Sequence, residues 1–217
     1  MTVVTYFNDN RAEILTWLGY HAWLSALPVV LGLIVSLPVG WLAVRYRWLY
    51  APVIGLSGLL YTVPSIALFV VLPSVLGTKV LDPVNVAVAL TIYTVALLVR
   101  VVADGLSAVP DDVAQAATAM GYRRFQRLVS VELPIAVPVI AAGLRVASVS
   151  NVSLVAVAAT IGVPELGQLF TTGFQLSYFA PIILGIALCV GLALVFDTVI
   201  VITTRLLTPW RRAVASS

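Results

Sequence analysis

The chain has 217 residues, of which 61% are hydrophobic and only 10% charged, with a formal net charge of +3 and a mean hydropathy of +1.09. Soluble domains carry roughly a quarter charged residues, so composition excludes an ordinary water-facing surface and points to a membrane protein. One cysteine, Cys189, and one histidine, His21, exclude an internal disulfide, a cysteine metal cluster and a nucleophile paired with its base.

Residues 1–21 do not have the form of a secretory signal. Asn8, Asp9 and Asn10 are suited to capping a short helix whose Ile14, Leu15, Trp17 and Leu18 share a face, so this stretch reads as an interfacial segment or a frayed terminus. His21 falls where the first apolar run begins and reads as an interfacial histidine.

Uncharged runs then predict spans near residues 22–44, 52–75, 83–103, 135–160 and 180–204, each about long enough for the hydrocarbon core, which takes some 17 to 25 helical residues. The expected fold is all-α and polytopic, one transmembrane domain over 1–217. Pro52, Pro64 and Pro73 interrupt the second run, so it reads as one broken span or as a span with a re-entrant piece, and a six-span count stays open.

Lys and Arg sort sharply by loop. One side receives Arg45, Arg47, Arg100, Arg123, Arg124, Arg127, Arg205, Arg211 and Arg212, and the other receives Arg11 and Lys79. Positively charged loops stay in the cytoplasm, which predicts an external N-terminus, a cytoplasmic loop over 104–133 and a cytoplasmic tail over 205–217. Trp17, Trp23, Trp41, Trp48 and Trp210 sit near the expected boundaries like an aromatic belt. The basic residues therefore answer to topology, and no nucleic-acid partner is called for.

The 104–133 loop contains DDVAQAATAMGYRRFQRLVSVELP. Pro110, Asp111 and Asp112 suit a helix start, because proline fits the first turn and carboxylates favour the positive end of the helix dipole. Ala116 and Ala117 offer a small face, and Gly121 permits a turn that a residue with Cβ resists. Arg123, Arg124 and Arg127 lie within about a turn of each other, placed to meet acidic groups or lipid phosphates.

The spacing of Gln115-Ala116-Ala117, Gly121 and Val131-Glu132-Leu133-Pro134 resembles the EAA loop of ABC importer permeases, with Gln115 in place of Glu and Val131 in place of Ile. That resemblance implies a type I importer permease fold in a bacterial plasma (inner) membrane. It makes this loop a coupling helix, with Gln115, Ala116, Ala117, Met120, Gly121, Arg123 and Arg124 facing a cytoplasmic ATPase. It also implies as partners two ABC ATPase subunits, a second permease subunit, like or unlike, and an extracellular or periplasmic substrate-binding protein. ATP and Mg belong to the ATPase and no cofactor to this chain, which has no GxxxxGK[ST] loop.

Residues Gly58 to Pro73, GLLYTVPSIALFVVLP, are similar to the corresponding region of glycine betaine, carnitine and choline permeases. The expected cargo is accordingly a compatible solute: glycine betaine, choline, carnitine or proline betaine. After the fourth span those permeases often carry IGAGGLG, and this chain has IGVPELG, so Glu165 and Pro164 are expected to charge and stiffen an outer loop. Aromatic faces suit quaternary ammonium groups, and Tyr61, Thr62, Pro64, Ser65, Tyr93, Ser148 and Asn151 are candidates to line the path.

Arg145 and Asp197 are the charges inside predicted spans, at similar depths, and are expected to pair. An ABC permease for methionine, phosphonate or another small solute keeps the mechanism and changes the cargo. A self-sufficient secondary transporter is the reading from another class, disfavoured by the lack of an evident internal repeat.

Overall fold

The computed structural model describes residues 2–210, so Arg211, Arg212 and the rest of the expected tail beyond Trp210 lie outside the described residues. Those described form ten α-helices and no strand: α1 Val3–Asp9, α2 Arg11–Arg45, α3 Arg47–Thr62, α4 Ser65–Leu76, α5 Pro83–Ser107, α6 Asp111–Ala119, α7 Arg124–Arg127, α8 Leu133–Val155, α9 Gln168–Gln175 and α10 Phe179–Leu207. A π turn, Leu128–Glu132, leads into α8, and a 3₁₀ stretch, Ala156–Ile161, leaves it. Four of these runs are long and apolar enough to cross a membrane, and the bent pair α3–α4 makes a fifth.

The N-terminal expectation is corrected. Residues 11–21 are the opening turns of α2, a 35-residue helix about 50 Å long at 1.5 Å per residue. No breaker separates them from the span. Ile14, Trp17 and Leu18 pack with Leu166, Leu169 and Leu184, and Val3, Tyr6 and Phe7 of the short α1 pack on the same cluster.

The second span is broken where proline dictates. Pro64 has no N–H to donate and drives the preceding Val63 to an extended conformation, φ −67° and ψ 131°. The chain turns by 102° between α3 and α4. The Val63 carbonyl accepts a hydrogen bond from the Tyr93 hydroxyl of α5, so the elbow is held from the bundle.

α5 is the axis of the domain. In its most apolar stretch 61% of residues are buried, against 22% in α10. α2 comes close to it through Gly32 and Gly40, where an added Cβ would stand 2.3 Å from the Thr94 side chain and 2.7 Å from that of Val102. Small residues serve close helix approach in membranes in this way. One cluster, with Leu24, Phe69, Leu90 and Val155, fills one half of the bundle. Another, with Val102, Leu106, Leu128 and Ile140, fills the arginine-rich half.

Candidate functional site

The connection between α5 and α8 is a compact body. α6 ends in a Schellman cap: the Tyr122 N–H bonds the Ala117 carbonyl at 3.2 Å and the Gly121 N–H bonds that of Thr118 at 3.0 Å. Gly121 takes φ +86°, the left-handed conformation that glycine adopts without a Cβ penalty. The chain then reverses into α7. Arg127 fastens the reversal, its Nε donating to Glu132 Oε1 at 2.6 Å and its Nη1 to Thr118 Oγ1 at 2.9 Å. Arg127 is therefore engaged within its own chain and is not offered outward with Arg123 and Arg124.

Two further placements differ from expectation. Ala117 is 1% exposed, because that side of α6 lies against α7 and the π turn. The surface offered outward is made by Gln115, Ala116, Met120, Arg123 and Arg124, with Phe125, which spacing did not single out. Met120 and Phe125 are each 70% exposed. Both stand out as large apolar side chains from a charged loop.

In the bundle, Tyr61 of α3 meets Tyr93 of α5 edge-to-face with centroids 5.9 Å apart. They open on a narrow crevice also lined by Thr94, Ala147, Ser150 and Asn151. Asn151 Nδ2 donates to Thr94 Oγ1 at 2.9 Å, tying α8 to α5. Thr62 and Pro64 are exposed and Ser65 half-buried at the elbow. Ser148 is not on the crevice; it is 2% exposed and bonds the Leu144 carbonyl of its own helix. The residue turned to the open side is Ser150, half a turn further on.

Arg145 of α8 and Asp197 of α10 form a forked ion pair, Nε to Oδ1 at 2.5 Å and Nη2 to Oδ2 at 2.9 Å. It stands beside an open cleft of about 350 Å³ whose other walls are Ala142, Val146, Val149 and Ser150. Both side chains remain partly open, 47% and 27%.

Sequence reasoning misplaced a second pair. His21 is not interfacial and Glu165 does not charge an outer loop, since both are fully buried and bonded at 2.8 Å through Nδ1 and Oε2. His21 Nε2 donates to the Val152 carbonyl at 3.0 Å, and the Gly167 N–H donates to Glu165 Oε2 at 2.7 Å. A carbonyl only accepts, so Nε2 carries a proton, and the His21–Glu165 bond holds one more. Glu165 Oε1 is buried without a hydrogen-bond partner among the described residues. The loop folds inward because Val163, Leu166 and Leu169 seat it in the bundle with no exposed surface. Among the described residues no group of three His, Cys, Asp or Glu is placed to hold a metal.

Residues 29–213 match the family described as binding-protein-dependent transport system inner membrane component. The osmoprotectant import permease protein OsmW of Salmonella typhimurium is 36% identical over 96% of this chain and 98% of its own length. The glycine betaine/carnitine/choline transport system permease protein OpuCB of Bacillus subtilis is 30% identical over 95% of this chain and 94% of its own. A chain of the MetNI methionine ABC transporter, in an inward-facing conformation, superposes with a TM-score of 0.80 at 21% identity, covering 92% of this chain and 98% of that one. At that identity the superposition carries the fold, that of a type I ABC importer permease, and not the cargo.

Proposed function

The chain belongs to the family of binding-protein-dependent transport system inner membrane components, and on that premise we propose that it is the membrane subunit of an ATP-driven importer of a compatible solute: glycine betaine, choline, carnitine or proline betaine. The observation that carries this reading is likeness over nearly the whole chain to permeases named for osmoprotectants and for glycine betaine, carnitine and choline. Tyr61 and Tyr93 add an aromatic pair beside the path, and aromatic faces attract quaternary ammonium groups.

Alternating access follows from the linkage between α6 and α8. ATP hydrolysis belongs to a separate ATPase chain and needs no cofactor on this one. Two such ATPases, docking on Gln115, Ala116, Met120, Arg123, Arg124 and Phe125 of two permease subunits, push on α6 as they close. The Gly121 cap and the Arg127 bonds make α6, α7 and the π turn move together, so the push reaches α8, which carries the cleft. A binding protein delivers solute at the opposite face. The excess of arginine at the α6 end supports a cytoplasmic position for that end and an external N-terminus.

The test is uptake of labelled glycine betaine, choline and carnitine into proteoliposomes holding the chain with its ATPase and binding protein. ATP-dependent accumulation of at least one is expected. Accumulation without ATP, or of none of the three, overturns the reading.

A further inference from the structure

An ion pair in the interior of a membrane protein is normally enclosed by protein or lines a water-filled cavity, because either charge alone is costly there. Asp197 lies ten residues before Leu207, the end of α10, and Arg145 ten before Val155, the end of α8. At 1.5 Å per residue each is about 15 Å from its helix end, deep in the spans. Yet the pair keeps 47% and 27% of its side-chain surface open. Its neighbour across α8, His21–Glu165, keeps none. A pair whose purpose is to fasten two helices has no need of that opening. α10 is also fastened without it, since Leu184 joins the cluster of Ile14, Leu166 and Leu169.

The surroundings of the opening have a pattern. α8 buries Ala141, Ala147, Ser148, Asn151 and Val152. Its open side carries Val146 and Val149, 57% and 45% exposed. Ser150 belongs both to this cleft and to the crevice of Tyr61 and Tyr93. Ser150 thus joins a cleft with a carboxylate-matching guanidinium fork, a carboxylate and apolar walls to the crevice lined by Tyr61 and Tyr93. Its cleft of about 350 Å³ lies at the small end of ligand sites, which run from about 300 to 1,000 Å³.

We infer that Arg145 and Asp197 form the charge-reading site of the transport path: a zwitterionic solute opens the pair, its carboxylate taking the place of Asp197 on the Arg145 fork and its ammonium group that of Arg145 beside Asp197. The inference rests on the solute class proposed above and adds to it the residues that select the zwitterion. The forked geometry is what makes the exchange workable, since a solute carboxylate offers the guanidinium the same two acceptors. Without solute, the pair neutralises itself across the cleft. Val146 and Val149 take the methyl groups, and the tyrosine pair receives the ammonium group as it approaches or leaves.

The experiment uses the complete importer in proteoliposomes, with labelled glycine betaine as probe. Arg145→Gln is expected to lower its maximal uptake rate at least tenfold, with an unchanged half-saturating concentration of binding protein, because docking takes place elsewhere. A site and a fastening are separated by exchanging the pair, Arg145→Asp with Asp197→Arg. The exchange restores an ion pair and the unfolding temperature but reverses the charge order relative to Tyr61 and Tyr93, so uptake is expected to stay at least tenfold low. Val149→Trp, which fills the cleft and leaves the pair intact, is expected to lower uptake by a similar factor while the complex still purifies whole.

Uptake that returns in the exchanged pair, or an Arg145→Gln importer that keeps more than half the wild-type rate, overturns the site. So does a Val149→Trp complex that transports normally, or a wild-type importer that carries choline and no zwitterion. A wild-type importer that carries none of the quaternary ammonium solutes instead overturns the solute reading on which the site rests.

Discussion

Two of the domain's acid–base pairs lie about two turns apart along α8, and they are built in opposite ways. His21–Glu165 is closed to any probe, wired to Val152 and Gly167, and joins the first span to the loop between α8 and α9. Arg145–Asp197 is bonded twice yet stands open on a cleft. A buried pair is expensive to break because the survivor is left charged or unsatisfied in a dry place. An open pair can change partners. Burial thus separates a pair that fixes architecture from one free to meet a passing charge.

The largest expected effect tests the closed pair. His21→Ala leaves Glu165 buried with neither oxygen facing a side-chain donor, and a loss of about 3–5 kcal/mol is expected. In detergent this reads as a fall of roughly 10 °C in unfolding temperature. A shift of a degree or two would place His21–Glu165 in the same class as the open pair. Replacing both partners by Leu is expected to recover most of the loss, since two apolar groups leave no orphan.

Next comes the α6 cap. Gly121→Val asks a β-branched residue to hold φ +86°, where left-handed backbone costs about 1–2 kcal/mol per residue. Uptake coupled to ATP is expected to fall at least tenfold. The unfolding temperature is expected to fall by only a few degrees, because no heavy atom lies within 4 Å of the added Cβ and the cost is confined to the backbone. Uptake that survives would show that the push reaches α8 by another route.

Tyr93→Phe removes the donor to Val63 at the α3–α4 elbow and is expected to cost about 1 kcal/mol, visible as faster proteolysis near Pro64. The smallest effect belongs to the open pair. Arg145→Gln is expected to leave the unfolding temperature within a few degrees of wild type while lowering transport. A large thermal loss there would erase the contrast between the pairs.

How much of this was legible beforehand depends on locality. Arg145 and Asp197 could be matched because they are the charges inside apolar runs and helical rise sets their depth. The Gly121 turn was legible because its signal lies within a dozen residues. His21–Glu165 was not, since 144 residues separate the partners and polarity in a loop reads as solvent until the loop is seen to fold inward. The burial of Ser148 and Ala117 was not legible for a related reason: periodicity shows which residues share a face of a helix, and only the neighbouring helices decide which face is covered. For α8 those neighbours are α2, α5 and α10, so Ser150 faces the cleft and Ser148 does not.

The bonds that shape the α6–α7 reversal run from Arg127 to Glu132 and Thr118, from the Arg123 N–H to Gln126, and through the backbone cap at Gly121. The side chains of Gln115, Met120 and Phe125 on its outer surface take no part in those bonds. In the coupling proposed above, recognition and force transmission are therefore carried by different side chains. On that proposal Gln115, Met120 and Phe125 can drift toward a new ATPase surface without loosening the bonds behind them, which makes the loop a natural place for such machines to exchange motors.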